Sequence, residues 1–226
     1  MFMLPTRRHM MLLGTLALSC APVGAAFADP SSQHPPLAPT RDVTVDYTVQ
    51  PQGSPTPIPV KVAFSGDGNL LRIDGNGGKS ITILDRQNQL VTLVSTMQKI
   101  YMQFSPRSGL RNPFLLSMSM HYTPAGTATV AGLACNKWAI STDHGSAQAC
   151  VTDDGVILSE SGVDADGAQG QLTAQTVQYG PVPSSQFQPP SGYEQIKPHS
   201  GGAGAGAPGA GNGPVTGAAP GAVPPQ

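Results

Sequence analysis

Two cysteines, Cys135 and Cys150, stand fifteen residues apart in a chain of 226 residues, each within strand-like sequence. The first 28 residues have the pattern of an export signal, so both thiols would meet an oxidising compartment. A disulfide would tie two neighbouring strands across a turn at residues 143–145. In the chain-entropy description, closing a loop of this length stabilises a fold by about 3 kcal/mol. The pair therefore predicts a structural bridge in an exported β domain.

The N-terminal stretch 1–28 reads as a signal peptide. Arg7 and Arg8 precede an apolar run at 10–18, and small residues at 26 and 28 offer a cleavage site before Asp29. The apolar run is too short and too interrupted for a membrane span of about 20 residues. Paired arginines before two methionines fit the twin-arginine (Tat) pattern, so the general secretory (Sec) and Tat routes both stay open. Cys20 adds the alternative of a lipid-modified cysteine. The expected location is the periplasm.

Composition divides the rest of the chain into three parts. Residues 198–226 are almost wholly Gly, Ala and Pro, which predicts a disordered tail because such a segment has little apolar surface to bury. Residues 29–40, rich in Ser, Gln and Pro, predict a flexible arm. The stretch 41–197 has the size of one domain with its own core.

Alternation of apolar and polar residues dominates the stretch 41–197. One strand face carries Val43, Val45, Tyr47 and Val49, and the other face is polar. The same alternation recurs at residues 60–64, 81–83, 100–104 and 138–140. Asp154-Gly155 is a strong two-residue hairpin signal. Roughly ten short strands that recur every 8–12 residues predict an antiparallel sandwich, barrel or part-barrel.

One segment departs from the alternation. Asn112 is a favourable N-cap and Pro113 suits the first helical position. The apolar residues Phe114, Leu115 and Met118 follow at helical spacing. We expect a short helix or lid at residues 112–121.

The composition argues against several classes of function. Removing residues 1–28 leaves 10 basic against 13 acidic side chains, a formal charge of about −3 with no basic run, which argues against nucleic acid as a partner. No serine lies in a Gly-x-Ser-x-Gly turn, and no His-x-x-x-His pair is available for zinc. We expect no enzyme, no cofactor and no metal site.

One alternative to that expectation concerns Met118, Met120 and His121. Two thioethers and an imidazole can hold copper(I) in an exported protein. Flexible methionines also line cores and adaptable apolar pockets, and we favour that interpretation.

A family resemblance is carried by four motifs. These are Val130-Ala131-Gly132-Leu133-Ala134-Cys135, then Trp138, then Cys150-Val151-Thr152-Asp153-Asp154-Gly155-Val156, and finally Phe187-Gln188-Pro189-Pro190-Ser191-Gly192-Tyr193. They resemble a family of exported bacterial proteins of unassigned function that is related to the periplasmic lipoprotein carriers (LolA-like). The resemblance covers residues 41–197. It implies a mainly β fold, a strongly curved antiparallel sheet forming an open half-barrel, with one or a few short helices on its concave face.

The resemblance also implies a function, since carriers of that group hold acyl chains on the concave face. We therefore expect a non-enzymatic periplasmic protein that binds or carries an apolar ligand, either a lipid or a lipoprotein acyl chain. The expected ligand-binding residues are Phe114, Leu115, Met118 and Met120. The alternative from another class is a structural protein with a fully packed core and an envelope protein as its partner. Phe187 and Tyr193 are expected to form a strap over an open edge or end of the sheet.

Overall fold

The computed structural model describes residues 34–163 and 167–197. The expected signal peptide, Cys20, the first residues of the expected arm and the expected tail lie outside the described residues. Within them, a single sheet contains twelve strands. Their bounds are β1 Val43–Pro51, β2 Ile58–Phe64, β3 Leu70–Gly75, β4 Ser80–Asp85, β5 Leu90–Ser95, β6 Ile100–Phe104, β7 His121–Val130, β8 Leu133–Thr142, β9 Gly145–Val151, β10 Ile157–Val163, β11 Gln169–Tyr179 and β12 Glu194–Gln195.

The sheet is curved and does not close. Its strand order is β12-β6-β5-β4-β3-β2-β1-β11-β10-β9-β8-β7, so β12 and β7 are its two edges. All pairs are antiparallel except β12 with β6. The helical content of the described chain is two short 3-10 turns, Asn76–Gly78 and Ser184–Phe187. The predicted mainly β, open antiparallel fold is confirmed.

The alternation in β1 decides which face of the sheet is buried. Val43, Val45 and Tyr47 are at most 1% exposed, and the residues between them are polar. Directly opposite, Val62 faces Val45 and Val60 faces Tyr47, and residues paired in this way point to the same side. We call this side the inner face, because the larger hydrophobic cluster of the protein lies on it.

The disulfide predicted between Cys135 and Cys150 is confirmed. The two sulfur atoms are bonded and the Cα atoms are 5.4 Å apart. Cys135 lies in β8 and Cys150 in β9, which pair antiparallel across the turn between Thr142 and Gly145. The bridge therefore locks one hairpin of the sheet.

The segment after β11 crosses the opposite side of the sheet, the outer face. There Phe187, which is 8% exposed, packs with Ala63, Ile81 and Val94 in a second apolar cluster, to which Tyr193 adds a partly buried ring. The chain then continues into the two-residue strand β12. This strand pairs with β6 and so covers the side of β6 that faces away from β5. The strap expected from Phe187 and Tyr193 is confirmed, and it closes one edge of the sheet.

In the described part of the chain, none of the helices combines the length and the apolar character needed to cross a membrane.

Candidate functional site

Two irregular segments cover the inner face of the sheet. The first, residues 105–120, joins β6 to β7 and is called the lid here. Because β6 and β7 lie near opposite edges of the sheet, the lid has to cross its width. The second, residues 34–40, precedes β1 and is called the arm. The contacts of these two segments define the candidate site.

Of the short helix or lid expected at residues 112–121, the helix does not form and that part of the prediction was wrong, whereas the segment does lie over the inner face. Asn112 does cap a turn: its side-chain oxygen accepts the Phe114 N–H at 3.1 Å, and its carbonyl accepts the Leu115 N–H at 2.9 Å. A helix cannot continue through Ser117. The Tyr122 hydroxyl accepts the Ser117 N–H at 3.1 Å and donates to the Ser117 carbonyl at 2.8 Å. The Tyr122 hydroxyl thus binds both backbone groups of Ser117, and the same carbonyl also accepts the Met120 N–H at 3.2 Å, which closes a three-residue turn rather than a helical one.

The first half of the lid is an apolar plug. Phe114, Leu115 and Leu116 are 6%, 8% and 2% exposed and belong to the larger cluster. The Phe114 ring lies 5.0 Å from the ring of Tyr47, which is buried in the sheet. The structure thus brings Phe114 and Leu115 together on the inner face, and their binding of a ligand stays a prediction. Leu116 was missed because a helical spacing would have turned it away; the unbroken apolar triplet was the available signal.

The second half of the lid separates the two methionines. Met118 is 70% exposed, whereas Met120 is partly buried and packs against the larger cluster. The Met120 sulfur lies 3.2 Å from the Tyr122 hydroxyl oxygen. His121 is exposed. The copper(I) alternative, which needs these groups on one ion, stays a prediction.

The described residues contain no group of three or more His, Cys, Asp or Glu side chains placed to hold a metal ion.

Aromatic rings line the inner face beside the lid. Tyr122 on β7 meets Trp138 on β8 edge to face, with ring centroids 6.3 Å apart, and the His34 ring of the arm lies 6.2 Å from Tyr122. Burial, with a smaller contribution from the Glu160 carboxylate, raises the pKa of Tyr122 to about 12, although the hydrogen bond with the Ser117 backbone acts in the opposite direction. Tyr47 donates to the Ile157 carbonyl at 2.7 Å, and burial raises the pKa of its hydroxyl. The two phenols are therefore neutral near pH 7.

The arm is packed against the sheet over its described length. Pro35 is less than 2% exposed, Pro39 is buried, and Leu37 packs against the larger cluster. Two turns hold the arm: a β-carbon on Gly155 would lie 2.2 Å from the Ala38 carbonyl oxygen, and one on Gly68 would lie 2.9 Å from the Ala38 β-carbon. Residues 34–40 of the expected flexible arm therefore have a defined position against the sheet, which we call the seat of the arm. The glycines of two turns that are distant in sequence, Gly68 and Gly155, leave room for it.

At its end the arm is fixed by a polar cluster, called the latch here. The Arg41 Nε and Nη2 atoms donate to one Asp154 oxygen at 2.9 and 2.7 Å. The guanidinium also lies 3.8 Å above the Tyr179 ring, and the Tyr179 hydroxyl donates to the other Asp154 oxygen at 3.1 Å. Thr152 donates to that same oxygen. Thr40 adds a backbone bond to the Asp154 carbonyl at 2.9 Å.

The latch favours the charged form of both partners. Burial alone would raise the pKa of Asp154, but hydrogen bonds from Thr152, Arg41 and Tyr179 lower it overall. The hydrogen bond to Asp154 raises the pKa of Arg41. The pair is ionised over the whole physiological range and weakens only in acid.

A separate open pocket of about 530 Å³ lies toward one end of β7 to β10. Its lining is small and mostly polar, and it shares no residue with the lid or the arm. The lining residues are Thr123, Ala139, Ile140, Ser141, Ser146, Ala147, Gln148, Ser161 and Gly162.

The known proteins that resemble this chain are solved structures. No protein-family model and no curated protein matches the chain. An uncharacterized conserved protein from Thermus thermophilus is similar (TM-score 0.49, 9% identity, 70% of this chain and 91% of that chain). A chain in the MucA/MucB complex of Pseudomonas aeruginosa is also similar (TM-score 0.43, 15% identity). The match covers 65% of this chain and 55% of that chain.

A third similar structure is a LolA superfamily protein from Nitrosomonas europaea (TM-score 0.34, 9% identity, 66% of this chain and 91% of that chain). At such identities the likeness concerns the fold alone. The fold itself is established by the sheet, which is large, antiparallel, curved and unclosed. An open, curved antiparallel sheet is the architecture that the resemblance of the sequence motifs implied.

Proposed function

We propose that this protein is a non-enzymatic binding or carrier protein of the periplasm whose inner sheet face takes the acyl chain of a lipid or lipoprotein. One observation carries the proposal: the apolar inner face is covered by the irregular lid and arm rather than by a second sheet or by regular helices. A curved sheet exposes an apolar surface that side chains or a ligand must fill. Segments outside the sheet can be exchanged for a ligand without breaking a strand pair.

The chemistry of this face supports an apolar ligand. Phe114, Leu115 and Trp138 offer apolar surface, and the hydroxyl of Tyr122 is neutral and already engaged with Ser117. Methionine at position 120 adds a side chain that repacks around chains of different shape at little cost. The disulfide supports an oxidising compartment, in keeping with export to the periplasm.

A second function has an observation in its favour. Phe114, Leu115 and Leu116 already fill the inner face, as expected for an envelope interaction protein with a packed core and no ligand. The two functions differ in whether the lid and arm give way to an acyl chain.

A fluorescent fatty acid, cis-parinaric acid, tests the proposal on the disulfide-bonded mature chain. Met120→Lys places a charge against the inner face, and we expect it to weaken probe binding at least tenfold, because a buried ammonium is costly. Met118→Lys tests whether that residue contacts the bound probe, as the sequence predicted. Met97→Lys is the matched control, because Met97 is 74% exposed in the turn between β5 and β6.

The proposal fails if the wild-type protein binds no probe, or if Met97→Lys and Met120→Lys weaken binding equally. In the first case the envelope interaction protein is the better account. A parallel titration with copper(I) tests the metal alternative: tight binding that is lost in Met118→Lys and Met120→Lys would support it.

A further inference from the structure

We infer that the arm is the gate of the lipid site: residues 34–40 leave the inner face when an acyl chain enters, and the latch returns them. The inference rests on the proposed function and adds its regulation. The arm and the lid both cover the inner face, so a ligand has to displace at least one of them. Their contacts indicate which one yields first.

The arm is attached to the sheet by few directional bonds. Three of its seven residues are prolines, which carry no N–H and cannot donate a hydrogen bond to a strand ladder. Among the described residues, its backbone bond to the rest of the chain is the one from Thr40 to Asp154. Prolines also hold the arm extended when it is released, so less conformational entropy is gained or lost at each exchange. Both features suit a segment that moves as a unit.

The lid is held more firmly than the arm. It buries three large apolar side chains, one of them against the ring of Tyr47. Tyr122 also clamps Ser117 through two hydrogen bonds. The arm buries chiefly Pro35 and Pro39, with Leu37 partly covered. Releasing the arm therefore exposes less apolar surface than releasing the lid.

The two ends of the arm suit an opening movement. Its first described residue, His34, lies against Tyr122, which in turn contacts Trp138, so release uncovers an aromatic surface. Its other end is held by the latch, where the Arg41 side chain is 59% exposed. The Asp154 side chain is only 19% exposed and keeps its hydrogen bonds from Thr152 and Tyr179, so the exposed Arg41 is the partner that can leave and return. The arm can thus leave its seat when Arg41 leaves the latch, while β1 stays in the sheet.

Probe affinity in the full mature chain tests the gate. Leu37→Asp places a charge where the arm meets the core and should release the arm, tightening cis-parinaric acid binding about tenfold because the closed state no longer competes. Arg41→Gln opens the latch and should tighten binding by a smaller factor, about two to five. Lys61→Gln is the matched control, since it removes an exposed ion pair with Asp46 that does not involve the arm.

A second measurement follows the arm in the unaltered protein. In the closed state the backbone next to Arg41 is held by the bond from Thr40 to Asp154, so we expect trypsin to cleave after Arg41 mainly when the arm is released and the probe to accelerate that cleavage several-fold in the wild-type chain. Leu37→Asp should be cleaved rapidly without the probe.

The outcomes separate the gate from the proposed function. If the wild type binds the probe but Leu37→Asp binds no better and the probe leaves tryptic cleavage unchanged, the gate is refuted and the lipid site stands. If no variant binds, the lipid site and its gate both fall. Should Leu37→Asp lose its near-UV circular dichroism, Arg41→Gln and the wild-type cleavage rate decide the question.

Discussion

The seat of the arm depends on a glycine, and its replacement gives a quantitative prediction. Gly155 has a φ of +91°, which disfavours side chains. It also lies so close to the arm that a β-carbon would approach the Ala38 carbonyl oxygen to 2.2 Å and the Pro39 nitrogen to 3.1 Å. Gly155→Ala therefore combines backbone strain with a collision that only displacement of the arm or the turn can relieve.

The two contributions can be separated with a second glycine. Gly53 has a φ of +79°, but a β-carbon there would meet nothing within 4 Å. Gly53→Ala should therefore lower the free energy of unfolding by the backbone strain alone, about 1 kcal/mol. Gly155→Ala should lower it by the same strain and also by the lost packing of the displaced arm, which is about 2 kcal/mol for the burial of Leu37 and Pro35. The expected loss in the free energy of unfolding is about 3 kcal/mol.

Urea denaturation of the disulfide-bonded chain measures both values. With an m-value of about 2 kcal/mol/M, the midpoint should fall by about 1.5 M for Gly155→Ala and by about 0.5 M for Gly53→Ala. Equal shifts would show that the contact between Gly155 and the arm contributes nothing to stability. The arm would then not be seated as described.

Three further predictions concern the disulfide, the strap and the latch. Replacing Cys135 and Cys150 together by serine should lower the free energy of unfolding by about 3 kcal/mol, measured in urea; no change would refute a stabilising bridge. Phe187→Ala should cost about 3 kcal/mol, since it empties the apolar cluster on the outer face; a loss below 1 kcal/mol would mean that the strap packs loosely. Because hydrogen bonds hold the pKa of Asp154 low, its stabilising effect is complete above the unfolded pKa of about 4 and disappears as the pH falls through the lower folded value. The stability difference between wild type and Asp154→Asn should accordingly shrink below pH 4, and a difference independent of pH would contradict the latch.

Much of the sheet could be predicted because its signals are local. The alternation of Val43, Val45 and Tyr47 reflects one buried face. Asp154-Gly155 forms the predicted hairpin between β9 and β10. The pairing of the two cysteines followed from their strand context and the expected export.

The lid and the arm could not be predicted in the same way, because distant contacts decide their structure. Asn112 and Pro113 are good signals for the start of a helix, but the Tyr122 hydroxyl takes both backbone groups of Ser117. The prolines of the arm suggested flexibility from composition alone. Their burial depends on a slot beside Gly155, more than a hundred residues away.

The central claim is that the inner face holds an acyl chain once the arm is released. Native mass spectrometry of the wild type and of Leu37→Asp, each purified from a bacterial periplasm, tests it most directly. We predict a lipid-sized mass increment on Leu37→Asp that organic extraction removes, and a smaller bound fraction on the wild type. Bare protein in both spectra, with no lipid in either extract, would contradict the account.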